Sequence, residues 1–137
     1  MKSNFDIAKR AALVGLVCSL LVLSACEKSE SIEERASGRW DVLLSGDMTS
    51  AYEYLSPGYR SSVSLEQYQR SLLTRQVGWD SADYIESDCT EDSCKVKISI
   101  GYTVRGALPG VKEYKGVQKI IESWVRVDGV WYLEPEK

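Results

Sequence analysis

The chain has 137 residues, which limits it to one domain with a single hydrophobic core. Its 17 basic and 20 acidic residues give a net charge of −3, so it lacks the basic footprint that nucleic acid requires. It contains no histidine, which excludes hydrolases of the Ser-His-Asp or Cys-His kind and removes the most frequent metal ligand. The sequence therefore predicts no nucleic-acid partner, no metal site and no cofactor.

A short basic start precedes a long apolar run at the N-terminus. Lys2, Lys9 and Arg10 are followed by residues 11–25, which are almost wholly apolar. This run is shorter than the roughly 20 residues that a membrane-spanning helix needs. Its length and the small residues at its end predict a cleaved secretory leader. An uncleaved N-terminal anchor is the alternative, and both place the remaining chain outside the cytoplasm on a membrane surface.

The apolar run closes with Leu23-Ser24-Ala25-Cys26, which resembles the lipobox of bacterial lipoproteins. The resemblance implies that residues 1–25 are a signal peptide and that Cys26 becomes the lipidated first residue, carrying diacylglycerol and an acyl chain such as palmitate. Several acyl chains anchor a protein stably where one would be marginal. Residues 26–30 would be the lipidated cysteine and its tether. Glu27 replaces the aspartate that favours inner-membrane retention, so the resemblance implies the outer membrane, facing the periplasm.

The chain has four cysteines. Cys18 lies in the predicted leader and Cys26 is the predicted lipid site, which leaves Cys89 and Cys94 in the remaining domain. In an exported domain such a pair predicts a disulfide. A metal site and a redox pair are the alternatives. Two thiols without histidine cannot complete a tetrahedral zinc site, and the four intervening residues do not match thioredoxin spacing. We expect the disulfide to hold the register of a hairpin.

Local signals predict three helices over residues 31–73. Ser31 with Glu34, and Ser64 with Gln67, have the form of capping boxes, which satisfy backbone N–H groups at a helix start. Asp47 is positioned to cap the middle helix. We expect the first helix to end at Gly46, and residues 56–58 (SPG) to stop the second.

The period of the apolar residues changes to alternation after residue 77. This pattern predicts strands at residues 79–87, 96–104, 114–127 and 130–133, with a break at residues 106–110. Asp128-Gly129 is a strong hairpin signal, and a two-residue turn there places Trp124 opposite Leu133. Trp124, Trp131 and Leu133 would then share the inner face. The opposite face would carry Val125, Val127, Val130 and Tyr132, a candidate surface for a homodimer if it is exposed.

These elements predict an α+β fold, with N-terminal helices packed on a four-stranded antiparallel sheet. The element order, residues 124–133 (WVRVDGVWYL) and residues 46–57 (GDMTSAYEYLSP) resemble the nuclear transport factor 2-like superfamily of SnoaL-like, cystatin-like cones. The resemblance assigns residues 31–137 to such a domain and implies a curved sheet around a long helix. The superfamily holds isomerases, dehydratases and non-catalytic binding modules, so the fold alone does not choose a function.

The resemblance also implies a pocket that opens between sheet and helices. Aromatic rings with a polar tip suit such a pocket. The candidate lining residues are Trp40, Tyr52, Tyr68, Trp79 and Tyr102. The alternative is that these rings simply fill the core.

Isomerases of the superfamily use a buried aspartate with a tyrosine donor, and Asp83 with Tyr102 are the catalytic candidates here. Asp83 lies in a polar, weakly alternating strand, where a solvated carboxylate is the ordinary outcome. The sequence therefore favours a lipid-anchored envelope protein whose non-catalytic domain binds a protein partner or small ligand in the periplasm. An isomerase- or dehydratase-like enzyme using the pocket is the alternative.

Overall fold

The computed structural model describes residues 30–75 and 77–136. The predicted signal peptide, Cys26 and tether residues 27–29 lie outside this part. Its elements are α1 (Ile32–Leu44), α2 (Met48–Glu53), α3 (Pro57–Ser62), α4 (Leu65–Leu73), β1 (Val77–Cys89), β2 (Ser93–Leu108), β3 (Val111–Val127) and β4 (Val130–Leu133). The predicted α+β class is confirmed. Within the described ranges, none of the helices combines the length and hydrophobicity that crossing a bilayer requires.

Both predicted capping boxes are confirmed. The Ser31 hydroxyl accepts from the Glu34 backbone N–H at 3.2 Å, and the Glu34 carboxylate accepts from the Ser31 N–H at 2.9 Å. Ser64 and Gln67 repeat the exchange at 3.3 and 2.8 Å. Because each box satisfies two backbone donors that a helix start leaves open, α1 and α4 begin where the sequence places them.

The second predicted helix does end before residues 56–58, but the prediction of three helices over residues 31–73 is wrong, because the described residues there form four. Ser56 caps a further helix, α3, and its hydroxyl accepts from the Tyr59 N–H at 3.0 Å. Pro57 occupies the first helical position, where its fixed φ suits the helix and its missing N–H leaves nothing unpaired. Accordingly α2 ends at Glu53, and Leu55 forms an isolated bridge with Leu133.

The four strands form one antiparallel sheet in the order β1-β2-β3-β4. The predicted hairpin is confirmed, with Trp124 opposite Leu133 and left-handed φ values of 51° and 81° at Asp128 and Gly129. The predicted break at residues 106–110 is present but shorter than predicted, because β2 continues to Leu108. A register shift after residue 105 absorbs extra chain as a bulge, and residues 109–110 make the turn.

Cys89 and Cys94 form a disulfide, as predicted. They are register partners at the end of β1 and the start of β2. The Thr90 N–H donates to the Ser93 carbonyl at 2.8 Å inside the closed loop. The bond therefore fixes the register from which the β1–β2 ladder continues.

Alternating residues of the sheet and one stripe of α1 form most of the core, and Ala51, Leu55 and Tyr68 complete it. The most buried strand residues include Val96, Ile98 and Trp124. Trp40 of α1 meets Trp79 of β1 edge to face, with ring centroids 5.2 Å apart. Such aromatic contacts bury large apolar area and fix the relative position of the two elements.

Candidate functional site

A cavity of about 650 Å³ opens among residues of the helices and the sheet. Its aromatic lining residues are Trp40, Tyr59, Tyr68, Trp79 and Tyr102. The structure thus brings together four of the five aromatic residues that the sequence selected. The five aromatic lining residues come from α1, α3, α4, β1 and β2, so no single segment of the chain makes this site.

Tyr52, the fifth aromatic candidate, does not line the cavity. Its hydroxyl donates to the Val63 carbonyl at 2.7 Å, and its ring lies 5.7 Å from that of Tyr68. Tyr52 therefore packs behind the cavity wall and joins α2 to the segment that precedes α4.

A buried ion pair forms part of the cavity lining. Arg39 Nη1 donates to Glu122 Oε1 at 2.8 Å, and both residues are 7% exposed. Trp40 Nε1 donates to the same oxygen at 3.1 Å, and Trp124 Nε1 donates to Oε2 at 3.1 Å. Three donors therefore hold the Glu122 carboxylate, which offsets the cost of removing the charges from water.

The sequence interpretation did not select Arg39 or Glu122, although each carries a positional signal. Glu122 lies two residues before Trp124, so strand alternation turns both toward the same face. Arg39 lies three residues after the buried Ala36 and therefore shares its helix face. Two opposite charges at core-facing positions are a signal for a buried pair.

Arg39 and Tyr68 also lie against each other in the cavity wall. The Arg39 Nε and the Tyr68 hydroxyl have almost no accessible surface, and neither atom has a well-aligned hydrogen-bond partner. Burial raises the pKa of Tyr68, whereas the positive charge of Arg39 and a side-chain hydrogen bond with it oppose part of that rise. The guanidinium is therefore a close neighbour of the hydroxyl, and these two buried atoms belong to the wall rather than to the open space of the cavity.

The structure does not bring the catalytic candidates together. Asp83 is exposed and lies opposite Ser99, whereas Tyr102 lies opposite Trp79 and lines the cavity. Residues 99 and 102 are separated by an odd number of positions, so Asp83 and Tyr102 occupy opposite faces of the sheet. The carboxylate of the cavity lining is Glu122, and its oxygens are already occupied by three donors.

The polar groups of the cavity suit an organic molecule better than a metal ion. In the part of the chain that the structure describes, no three His, Cys, Asp or Glu side chains cluster closely enough to hold a metal. Arg75 adds a second cation to the lining, with its guanidinium carbon 5.4 Å from the Trp79 ring. The arrangement therefore offers hydrogen-bond donors and aromatic walls.

The second sheet face that the sequence singled out lies away from Trp124 and Leu133. Val127 and Val130 are 37% and 39% exposed and pair with each other across the turn. Val125 and Tyr132 form the next pair and are half-buried. The four residues thus make a small, partly exposed apolar surface.

Comparison with known proteins gives a fold and no family. No protein-family model and no curated protein matches the chain. The solution structure of a SEC-C motif-containing protein from Rhodopseudomonas palustris is similar, with a TM-score of 0.61 and 12% identity over 78% of this chain and 77% of that one. At this identity the likeness indicates the fold alone. A crystal structure from Campylobacter jejuni, of a protein that carries the name NTF2-like transpeptidase, gives a TM-score of 0.49 with 18% identity over 76% of this chain and 97% of that one.

Proposed function

We propose that this protein is a lipid-anchored envelope protein whose domain binds a small ligand without catalysing a reaction. The observation that carries the proposal is the cavity of about 650 Å³, which has aromatic walls and buried polar groups. Pockets for small molecules are mostly apolar, with a few placed polar groups that fix the orientation of the ligand. A protein partner in the periplasm remains the second candidate, since the surface around Val127 and Val130 offers a contact area and could also pair two copies.

The domain is proposed to be a nuclear transport factor 2-like cone, in which the helices pack on a curved sheet. Two contacts of α1 support this arrangement: Trp40 packs on Trp79 of β1, and Arg39 pairs with Glu122 of β3. Register shifts in β1, between residues 79 and 81 and between residues 84 and 86, support the curvature. Bulges of this kind bend a strand and increase its local twist.

The environment of Glu122 supports binding over catalysis. A general base needs a free lone pair within reach of the proton that it removes. Oε1 of Glu122 accepts from Arg39 and Trp40, and Oε2 accepts from Trp124, so three of the roughly four acceptor sites of the carboxylate are occupied. An isomerase-like role would have to use the single remaining site on Oε2.

Location rests on the lipobox-like residues at the start of the chain. Cys26 would carry the lipid, and Glu27 favours the outer membrane. The test is labelling with radioactive palmitate in a Gram-negative host, followed by membrane fractionation. We expect the Cys26→Ser variant to lose both label and membrane association. Cys18→Ser is the matched control, because Cys18 would leave with the leader, and it should label normally. Labelled Cys26→Ser protein would reject the anchoring proposal.

Ligand binding is tested with 2-methylnaphthalene, a neutral ring probe, added to full-length protein in phospholipid nanodiscs. The readout is the set of indole N–H resonances, since Trp40 and Trp79 line the cavity and Trp131 does not. We expect shifts for the first two indoles and none for the third. Ser71 is exposed but lines the cavity, so a Ser71→Trp variant should block the cavity and abolish the shifts. Leu73→Trp, at an exposed position of the same helix that does not line the cavity, should leave the shifts in place. Unchanged Trp40 and Trp79 signals would reject a cavity that binds ligands.

A further inference from the structure

We propose that the open edge of β3, residues 115–121, binds an extended acidic segment of a partner protein by adding it to the sheet as a further strand. This inference goes beyond the proposed ligand binding and does not depend on it. It also uses a different surface from the one around Val127 and Val130.

The open edge exists because β3 is much longer than its neighbour β4. β3 runs from Val111 to Val127, whereas β4 has four residues and pairs only with residues 124–127 of β3. The Glu134 N–H extends this ladder by one hydrogen bond, to the Ser123 carbonyl. Among the residues that the structure describes, no strand pairs with β3 beyond this point on the β4 side.

The backbone of the open edge carries unpaired donors and acceptors at every second residue. Along an antiparallel strand, the N–H and C=O groups of successive residues point to alternate sides. Ser123 faces the β4 side, whereas Arg126 faces β2, where its N–H donates to the Asp92 carbonyl at 2.9 Å. The register with β2 is unbroken from Val125 to Glu113, so this alternation continues through the open edge. The outward-facing residues, whose N–H and C=O groups point away from β2, are therefore Lys115, Val117, Lys119 and Ile121.

The open edge also lacks the features that interrupt β1. β1 contains two register shifts, whereas none interrupts residues 113–125 of β3. The stretch contains no proline. A regular strand edge of this kind is a template for another strand, and the backbone hydrogen bonds then supply the affinity.

Two apolar side chains of the open edge lie in solvent. Val117 and Ile121 are 75% and 62% exposed. They lie on the sheet face opposite to Ile120, which lines the cavity. Cross-strand pairs of β-branched residues stabilise a sheet, and a partner strand with such residues at alternate positions would supply these pairs on the open side.

Two lysines alternate with these apolar residues on the same face. Within the described residues, Lys119 forms no ion pair, and the Lys115 ammonium lies 3.8 Å from the Glu113 carboxylate with both side chains largely exposed. A second copy would add its own lysines to the same seam, where like charges repel. Acidic residues of a partner would instead pair with them. The lysines therefore favour an acidic strand and disfavour self-association.

The experiment adds a capped peptide, acetyl-VLETVTE-amide, to full-length protein in phospholipid nanodiscs. Aligned antiparallel to the open edge, its valines lie opposite Ile121 and Val117, and its glutamates lie opposite Lys119 and Lys115. The readout is amide hydrogen exchange followed by NMR. In the free protein we expect fast exchange at the four outward-facing residues and slow exchange at the residues between them, whose N–H groups point toward β2. Peptide at about ten times its Kd should slow exchange at the outward-facing residues about tenfold, since exchange then requires the unbound state.

Modified peptides separate backbone pairing from charge. N-methyl groups on the first glutamate and the second valine block N–H groups that face β3, and they should abolish the protection. N-methyl groups on the two threonines point away from β3 and should leave the protection in place. A peptide with lysines in place of both glutamates should bind at least about fivefold more weakly.

Variants of the protein then locate the charge selection. Lys119→Glu should weaken the glutamate peptide about fivefold. Lys95→Glu is the matched control, because it makes the same change of charge on β2, opposite Ser123 and outside the open edge. It should leave the affinity unchanged.

The outcomes separate this inference from the ligand-binding proposal. Unchanged exchange at the outward-facing residues overturns strand addition. Protection in the free protein also overturns it: protection that grows with protein concentration means that a second copy covers the edge, and constant protection means that another part of the chain does. Equal binding of the glutamate and lysine peptides overturns the acidic preference. None of these results alters the test of the cavity with 2-methylnaphthalene.

Discussion

Arg39 Nη1 donates to Glu122 Oε1 across 2.8 Å and joins the first helix to the third strand inside the protein. The pair is asymmetric, because Glu122 also accepts from Trp40 and Trp124. Removing Glu122 leaves three hydrogen-bond donors without their acceptor. Removing Arg39 leaves the Glu122 carboxylate with two donors.

We therefore expect Glu122→Ala to destabilise the domain more than Arg39→Ala does. Breaking a buried pair by removing one partner costs about 3–5 kcal/mol, and Glu122→Ala should reach the upper part of this range. The double variant should cost less than the sum of the single losses, since the two residues share one network. Urea unfolding of the four proteins measures these free energies. Equal single losses that add fully would contradict the asymmetry.

Gly116 lies so close to Tyr102, a residue of the cavity wall, that a side chain at this position would clash with it. A Cβ at this position would lie 2.7 Å from Cζ and from the hydroxyl oxygen of Tyr102. Gly116→Ala should therefore displace the Tyr102 ring and lower the free energy of unfolding by about 1–3 kcal/mol, as overpacking usually does. Gly78→Ala is the matched control, because its nearest atom, the Thr103 carbonyl oxygen, is 3.7 Å away. Calorimetry measures the melting temperature of each variant. An equal fall in melting temperature for Gly116→Ala and Gly78→Ala would refute the steric argument.

The Cys89–Cys94 bond closes a short loop, so its loss has a limited cost. The chain-entropy model gives about 2 kcal/mol for a loop of this size. We expect dithiothreitol to lower the urea midpoint of the wild-type protein by a corresponding amount without unfolding it. The Cys89→Ala/Cys94→Ala variant should respond to urea alone and not to the reductant. If dithiothreitol leaves the urea midpoint of the wild-type protein unchanged, the hairpin keeps its register without the disulfide.

Asp47 gives α2 a pH-dependent start. Hydrogen bonds from the Ser50 side chain and then its backbone N–H lower the pKa of Asp47 below 3.8. The Asp47 carboxylate is therefore protonated at a lower pH in the folded protein than in the unfolded chain, and the cap is lost only at that lower pH. The stabilisation is present above the unfolded pKa and disappears as the pH falls through the folded pKa.

The matched variant is Asp47→Asn, which keeps a side-chain acceptor and does not titrate. Its stability deficit against the wild type should be present at neutral pH and close as the pH falls through the lowered folded-state pKa of Asp47. Urea unfolding across this range measures the gap. A gap of constant size would mean that the charge of Asp47 does not contribute to the cap.

Local features of this fold were predictable from the sequence, because their causes lie within a few residues. Ser31 with Glu34 and the Asp128-Gly129 turn carry all the atoms that make them. Pro57 misled the prediction because proline both ends helices and begins them. Only the side chain of Ser56, which caps α3, separates the two outcomes.

The aromatic residues that line the cavity could be predicted from the sequence, whereas its buried ion pair could not. Trp40 and Trp79 stand out by residue type, whereas Arg39 and Glu122 carry only a positional signal, which does not show that they pair with each other. They become partners only when the fold joins positions 83 residues apart. The closeness of Arg39 to the Tyr68 hydroxyl is equally hard to foresee, because it too depends on the tertiary fold.

The bridge between Leu55 and Leu133 also bears on how the protein behaves when many copies lie close together. The Leu133 N–H donates to the Tyr54 carbonyl at 2.7 Å, and the Ser56 N–H donates to the Leu133 carbonyl at 2.8 Å. The last strand therefore presents little free backbone to a neighbouring chain, and β1, at the opposite edge, is interrupted by its two register shifts. Blunted edges of this kind resist strand addition, which is the first step of aggregation at high local concentration.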